Sequence, residues 1–396
     1  MAAASSTSGS PEGQDVEQPA TKADEKGGKK IDAFEDEWDC TLYDICSINS
    51  WVVFFMVRGC AWDNIPFWRC MAFNTLVSVV VAVMTQLFTH YLPSVPMVGA
   101  DKFAKLGTFL NVFIGLLLGF FLSSSMSRWY ACVNAFLQLL DAVRRMQMQM
   151  IALGVSQEHT ETLNRFGLLS AWLLHYTLVA DATDPDDPDA IQHTLEKVQS
   201  VRPWLIEAHE KPMLLRQKDS YALIWTWVAS LIGRMSQDGE IPPMASPTYG
   251  RILHIVQQAY GSMGDVHALK LIKMPFIYIH TMAILVHVNN ILNAIAFGLV
   301  CGITGLTLMG NGDQTDATLA SVCTSLVMQF CFSMLAPVLY LALLDVGVCV
   351  AQPFTYEDAR IPSARFIMSM EEDLKSAKHI GDHPLHWDRP SFKKRE

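Results

Sequence analysis

The sequence predicts an all-α membrane protein, with four transmembrane helices and a cytosolic helical region. Three observations carry that expectation. Only 17% of the 396 residues are charged and 51% are hydrophobic, where a soluble protein carries about 25% charged residues. Four segments reach the ~20 mostly apolar residues that a bilayer crossing requires. Lysines and arginines gather at one end of most of these segments, as topology rules demand.

The first span is uncharged from Cys70 to Phe88 and is expected over about 67–91. The second, Leu106 to Ser127, is also uncharged and is expected over 106–128. The third runs from Met274 past Leu308 (274–308), interrupted only by His280 and His287. The fourth is apolar from Ala317 to Leu344 and is expected over 317–347. Lipid offers the backbone no hydrogen-bond partner, so each span must be a helix.

Arg58 and Arg69 precede span one, and Arg128, Arg144 and Arg145 follow span two. Lys270 and Lys273 precede span three, and Arg360 and Arg365 follow span four. The connection Gly310-Asn-Gly-Asp-Gln-Thr-Asp316 has no basic residue, so it is expected outside; Lys102 and Lys105, in the other outer connection, run against the rule. Both termini and the region 141–273 are therefore expected in the cytosol. The segments Phe166 to Ala180 and Tyr221 to Ile232 are apolar but short, and read as buried helices of that region. Between them, Asp181 to Asp189 is acidic and rich in proline. It reads as a solvated turn, because it lacks the spacing, glycine and final glutamate of a calcium loop.

Residues 1–37 are polar and read as a disordered tail with no apolar signal core. Their acidic residues argue against a plastid transit peptide. A main domain is expected over 38–374 and a short tail over 375–396. The net charge of −10 gives no support to nucleic-acid binding. Cysteines such as Cys70, Cys132, Cys301, Cys323 and Cys331 sit in apolar runs without metal-type spacing. Haem between His280 and His287 would need histidines on a second span, and the others carry none centrally; His90 lies at an end. Those two histidines are expected to bond other helices, with Asn289 or Asn290 nearby. Hydrolase and nucleotide-binding motifs are absent, so no enzyme is expected. A carrier or a scaffold without conductance is the rival reading; Pro275 and Pro337 could bend their helices, but neither brings a charged partner.

Four local patterns then resemble one family. Leu118-Gly-Phe-Phe-Leu-Ser-Ser-Ser-Met-Ser-Arg-Trp129 is similar to the bestrophin run Leu-Gly-Phe-Tyr followed by Arg-Trp. Arg58-Gly59-Cys60 stands where bestrophins show a basic residue, Gly and Ser. Lys273-Met-Pro275-Phe-Ile-Tyr278 resembles their Ile-Pro-Leu-Val-Tyr, and Gln352-Pro353-Phe354 their Asn-Pro-Phe. Order and spacing match from Trp38 to Leu374, and the algal or protist members are the type it most resembles.

The resemblance implies a bestrophin-like homopentamer with a central pore, lined at a narrow hydrophobic neck by the second span. The neck positions fall on Val112, Leu116 and Phe120, which share a helix face. Phe113, Leu117 and Phe121 form an equal stripe one residue along, which periodicity alone does not distinguish. The implied function is passive flux of chloride or another monovalent anion, with weakly hydrated iodide and nitrate entering more easily than chloride. Bicarbonate is the alternative anion. Gly119, Arg128 and Trp129 are implied supports of the pore helix; Asn111, Ser123 and Ser124 are weak candidates for ion contact. Arg128 is expected to reach the interface or an acidic neighbour.

One departure from the family concerns calcium. Only Glu357 and Asp358 remain of the acidic run that follows Asn-Pro-Phe in animal members, and Arg360 adds a positive charge. Calcium gains from carboxylate charge, so no metal or cofactor is expected beyond those two weak candidates. A second constriction would fall near Pro247, in a stretch from Ile241 to Thr248 that reads as a proline-rich loop, and no residue is assigned to it. The expected partners are anions, membrane lipid and further copies of the chain. The plasma membrane is the expected location, with a plastid envelope or thylakoid second.

Overall fold

From Ala100 to Leu153 there is no proline, and the chain forms one helix of 54 residues. In this computed structural model the described residues are 65–91, 100–180, 188–217, 219–310, 316–355 and 359–382. All of them belong to one compact unit spanning 40–396. The helices are α1 (Ile65–Tyr91), α2 (Ala100–Leu153), α3 (Gln157–Val179), α4 (Pro188–Val201), α5 (Ser220–Gln237), α6 (Ser246–Leu271), α7 (Phe276–Gly310), α8 (Asp316–Ala351) and α9 (Ser363–Asp382). No strand occurs among the described residues. Helices α1, α2, α7 and α8 each contain a stretch long and apolar enough to cross a bilayer.

The expected span over 106–128 and the start of the expected cytosolic region at 141 lie on one unbroken helix, α2. At ~1.5 Å per residue this helix is ~80 Å long, far more than the ~30 Å hydrocarbon core. Arg128, Asp141, Arg144 and Arg145 mark where the surroundings become polar, not where the backbone hydrogen bonds stop. The stop comes at Gly154, whose φ of 71° suits a residue without a Cβ. Gly154 N–H donates to Ile151 O and Val155 N–H to Met150 O. Ser156 then caps α3 by accepting from His159 N–H.

α1 is built the opposite way round from a helix in water. It buries Asn74, Ser78 and Thr85 and exposes Phe73, Leu76, Val79, Val80, Val83 and Leu87. The inward hydroxyls bond their own helix, Ser78 to Asn74 O and Thr85 to Val81 O. Small residues on that face let α7 approach, with Gly298 against Ser78 and Val81 and Gly302 against Ala82 and Thr85. The pairing rises in step along both chains, so α1 and α7 run parallel.

α3 and α5 bury apolar side chains instead. Leu169, Trp172, Leu173 and Leu174 of α3 pack in a core with Trp225, Val228 and Ile232 of α5, all sealed from solvent. These are the two short apolar segments, and neither is a candidate span. Arg165 of α3 gathers the 202–217 connection by bonding both Glu210 oxygens at 2.8 Å and Leu205 O at 3.1 Å. Burial works to raise the Glu210 carboxyl, but the bonds from Arg165 outweigh it and hold it below the usual range.

α6 begins at Ser246, inside the stretch read as a loop, with Pro247 in its first turn, where a missing N–H costs nothing. α9 carries on through the 374/375 boundary to Asp382. It is clamped to α2 by Arg144–Asp373 at 2.7 Å and by Gln147 Nε2 donating to Leu374 O at 2.8 Å. Arg202 reaches Glu371 at 3.2 Å, and Lys378 pairs with Glu161. The calls on the 1–37 tail and on most of the Asp181–Asp189 and Gly310–Asp316 connections lie outside the described residues.

Two predictions follow from this polar region. His175 of α3 is buried with Nδ1 2.7 Å from Ser363 Oγ. Burial, then the charges of Arg360 and Lys197, push its pKa down to about 3 from an ordinary 6.5. The folded form thus refuses a proton that the unfolded chain accepts, so stability is complete above pH 6.5 and is lost as pH falls toward 3. The slope reaches about 1.4 kcal/mol per pH unit. Thermal unfolding from pH 7 to 5 should show it, and His175→Gln should flatten it. Arg165→Met strands the buried Glu210 and should cost about 3 kcal/mol, read by the same unfolding assay.

Candidate pore helix

The N-terminal half of α2 has two faces. Ile114, Leu118 and Phe121 are sealed in a core with Phe67 of α1, Met282 and Val286 of α7 and Leu341 of α8. Phe121 fits because Gly347 of α8 has no Cβ, which would overlap its ring. Tyr278 of α7 stands at 6.5 Å from that ring and donates its hydroxyl to Leu117 O at 3.2 Å. The other face carries Val112, Leu116 and Phe120, which are 70%, 57% and 61% exposed. The two stripes that periodicity left equal are therefore unequal. Phe121 is fully buried, Leu117 partly so, and Phe113 is 49% exposed beside Phe109. Gly119 lies on the open face, and a Cβ there would meet nothing within 4 Å.

Asn111 does not stand free for an ion. Its Oδ1 accepts from Asn289 Nδ2 of α7 at 2.7 Å. Ser123 and Ser124 are exposed, and Ser123 O accepts from Ser127 Oγ at 2.9 Å. Below them, Arg128 donates to Leu269 O in the last turn of α6. Of the expected destinations, the interface or an acidic neighbour, neither is the partner seen: Arg128 meets a carbonyl at a helix C-terminus, which carries partial negative charge. Trp129 Nε1 donates to Ala359 O at 2.9 Å. Together these two residues pin the C-terminal end of the span to α6 and to the segment after α8. Such pairings join residues 141 and 230 positions apart, and nothing local in the sequence signals them.

His280 and His287 both lie exposed on α7, with His280 stacked on Phe276 at 5.1 Å. The expected pairing of these histidines with Asn289 or Asn290 is not what forms, since Asn289 turns to Asn111 instead. Glu357 and Asp358 lie outside the described residues. Among the described residues one group has metal-ligand geometry, Glu207, His209 and Glu210. The Arg165 guanidinium pairs with two of its members, 3.1 Å from Glu207 and 2.8 Å from Glu210.

A family model described as Bacterial/Fungal Bestrophin protein matches residues 46–298. No curated protein matches the chain. Among solved structures, a tryptophan-to-alanine variant of a bacterial bestrophin homologue from Klebsiella pneumoniae is 16% identical. It superposes with a TM-score of 0.60 over 80% of this chain and 100% of that one. A zinc-phased structure of the Klebsiella pneumoniae homologue is 17% identical, with a TM-score of 0.57 over 78% and 98%. A proline-to-alanine variant described only as a membrane protein is 16% identical, with a TM-score of 0.61 over 79% and 99%. These likenesses establish the fold. The family match covers well over half of the chain, and with four apolar helices in place the conclusion is plain: this membrane protein belongs to the bestrophin family of anion channels.

Proposed function

We propose that the protein is a homopentameric anion channel that passes chloride passively through a neck formed by Val112, Leu116 and Phe120. The observation that carries this reading is the division of α2 into a sealed face and an apolar open face. Gly115 and Gly119 lie on the same open face. Toward lipid such glycines waste contact area, whereas toward a second copy they allow close helix approach. Five copies of one apolar stripe around an axis hold no stable water column when narrow, so the neck gates by dewetting. An apolar ring strips hydration from a passing ion, and weakly hydrated anions lose least. Ser123 and Ser124, on the open face just beyond Phe120, are placed to receive the ion. The basic residues Arg128, Arg144, Arg145, Lys270 and Lys273 put that end in the cytosol.

Planar-bilayer recording of the purified protein under a chloride gradient tests the proposal. The reversal potential should lie near the chloride equilibrium value, and iodide or nitrate should carry more current than chloride. Changing Val112, Leu116 and Phe120 together to Ala should enlarge the current or blunt its selectivity. Unaltered current in that variant would move the neck to another face, and no current from an intact pentamer would favour a carrier or scaffold. Chelating calcium should leave the current unchanged, because Glu357 and Asp358 with Arg360 beside them make a weak calcium set. Loss of current on chelation would restore that set as a working site.

A further inference from the structure

Three asparagines lie together on one helix of the membrane bundle, Asn289, Asn290 and Asn293 within little more than one turn of α7, and Asn111 of α2 meets Asn289. Asn289 is 0% exposed and Asn290 1%. One hydrogen bond is made, Asn289 Nδ2 to Asn111 Oδ1. Asn289 Oδ1, Asn290 Oδ1, Asn290 Nδ2 and Asn293 Nδ2 are sealed and find no partner among the described residues. Close by, the α2 backbone comes in at Gly107, where a Cβ would lie 3.0 Å from Asn293 Oδ1 and 3.9 Å from Asn289 Oδ1.

Asn290 stands ~21 Å along α7 from Phe276, well inside a hydrocarbon core of ~30 Å. Each unpaired amide group at that depth costs several kcal/mol, so four in one place demand a partner. A second copy of the chain cannot supply it, because the atoms are sealed within their own subunit. The chemistry of the set selects the occupant. Two acceptors and two donors are open. A cation would leave the Asn290 and Asn293 donors stranded, and an anion would leave the Asn289 and Asn290 acceptors stranded. Turning an amide over keeps one donor and one acceptor group, so the mixture survives either orientation. Water gives two hydrogen bonds and accepts two, and buried waters make about three.

We infer that Asn111, Asn289, Asn290 and Asn293 form an internal water-binding site beside the contact of α2 with α7, within each subunit. The site places exchangeable, water-mediated contacts beside Val112, whereas the C-terminal end of the span is held by direct bonds from Arg128 and Trp129. It depends on the helices crossing the bilayer, and it stands whether or not Val112, Leu116 and Phe120 form the neck.

Two measurements test it. A cryo-electron microscopy map of the full chain in lipid nanodiscs, fine enough to show water, should hold a density peak within ~3.2 Å of the Asn290 amide. No peak there, or a peak that strengthens when bromide replaces chloride, overturns the inference. The thermal midpoint of Asn290→Leu gives an independent sign. Dry, stranded amides would make this similarly shaped apolar change stabilising, and a raised midpoint would contradict a water site. Removing a ligand of bound water should instead lower the midpoint by about 3 °C or more. Should the variant not fold, the wild-type map decides alone.

Discussion

α2 passes from an apolar solvent to a polar one without a break in its hydrogen bonding, and the rest of the chain is arranged around it. In its N-terminal half Ile114, Leu118 and Phe121 are covered by α1, α7 and α8. In its C-terminal half Leu139, Leu140, Val143, Met146 and Met150 are sealed in the core of the polar region.

The two solvents leave opposite signatures in neighbouring helices. α1 turns Asn74, Ser78 and Thr85 inward and its large apolar side chains outward, while α3 turns Leu169, Trp172 and Leu174 inward. Lipid supplies no hydrophobic drive between helices, so small and polar residues join them. In water the same task falls to apolar burial. The apolar bundle thus buries amides at Asn289 and Asn290, where the polar region buries the paired charges of Arg165 and Glu210.

What could be read from sequence follows this division. Four spans and two short buried segments were legible because each depends on local composition and length. The 112, 116 and 120 stripe was legible as a face, but that Phe121 is buried against Gly347 while Val112, Leu116 and Phe120 stay exposed was not, because periodicity treats neighbouring stripes alike. The continuity of α2 was not legible, because hydropathy reports solvent and is blind to whether the backbone stays helical. The bond between Asn111 and Asn289 was not legible, because the two lie 178 positions apart. The bond from Arg128 to the carbonyl of Leu269 was not legible, because a backbone acceptor 141 positions away has no signature in sequence.

The central claim is that the open face of α2 looks onto a shared axis and not onto lipid. A structure of the purified assembly in a bilayer measures this directly. It should contain five copies, with Val112, Leu116 and Phe120 from each ringing one axis and Phe121 turned back toward Gly347. A structure in which those three side chains meet lipid, or in which another helix lines the axis, would contradict it.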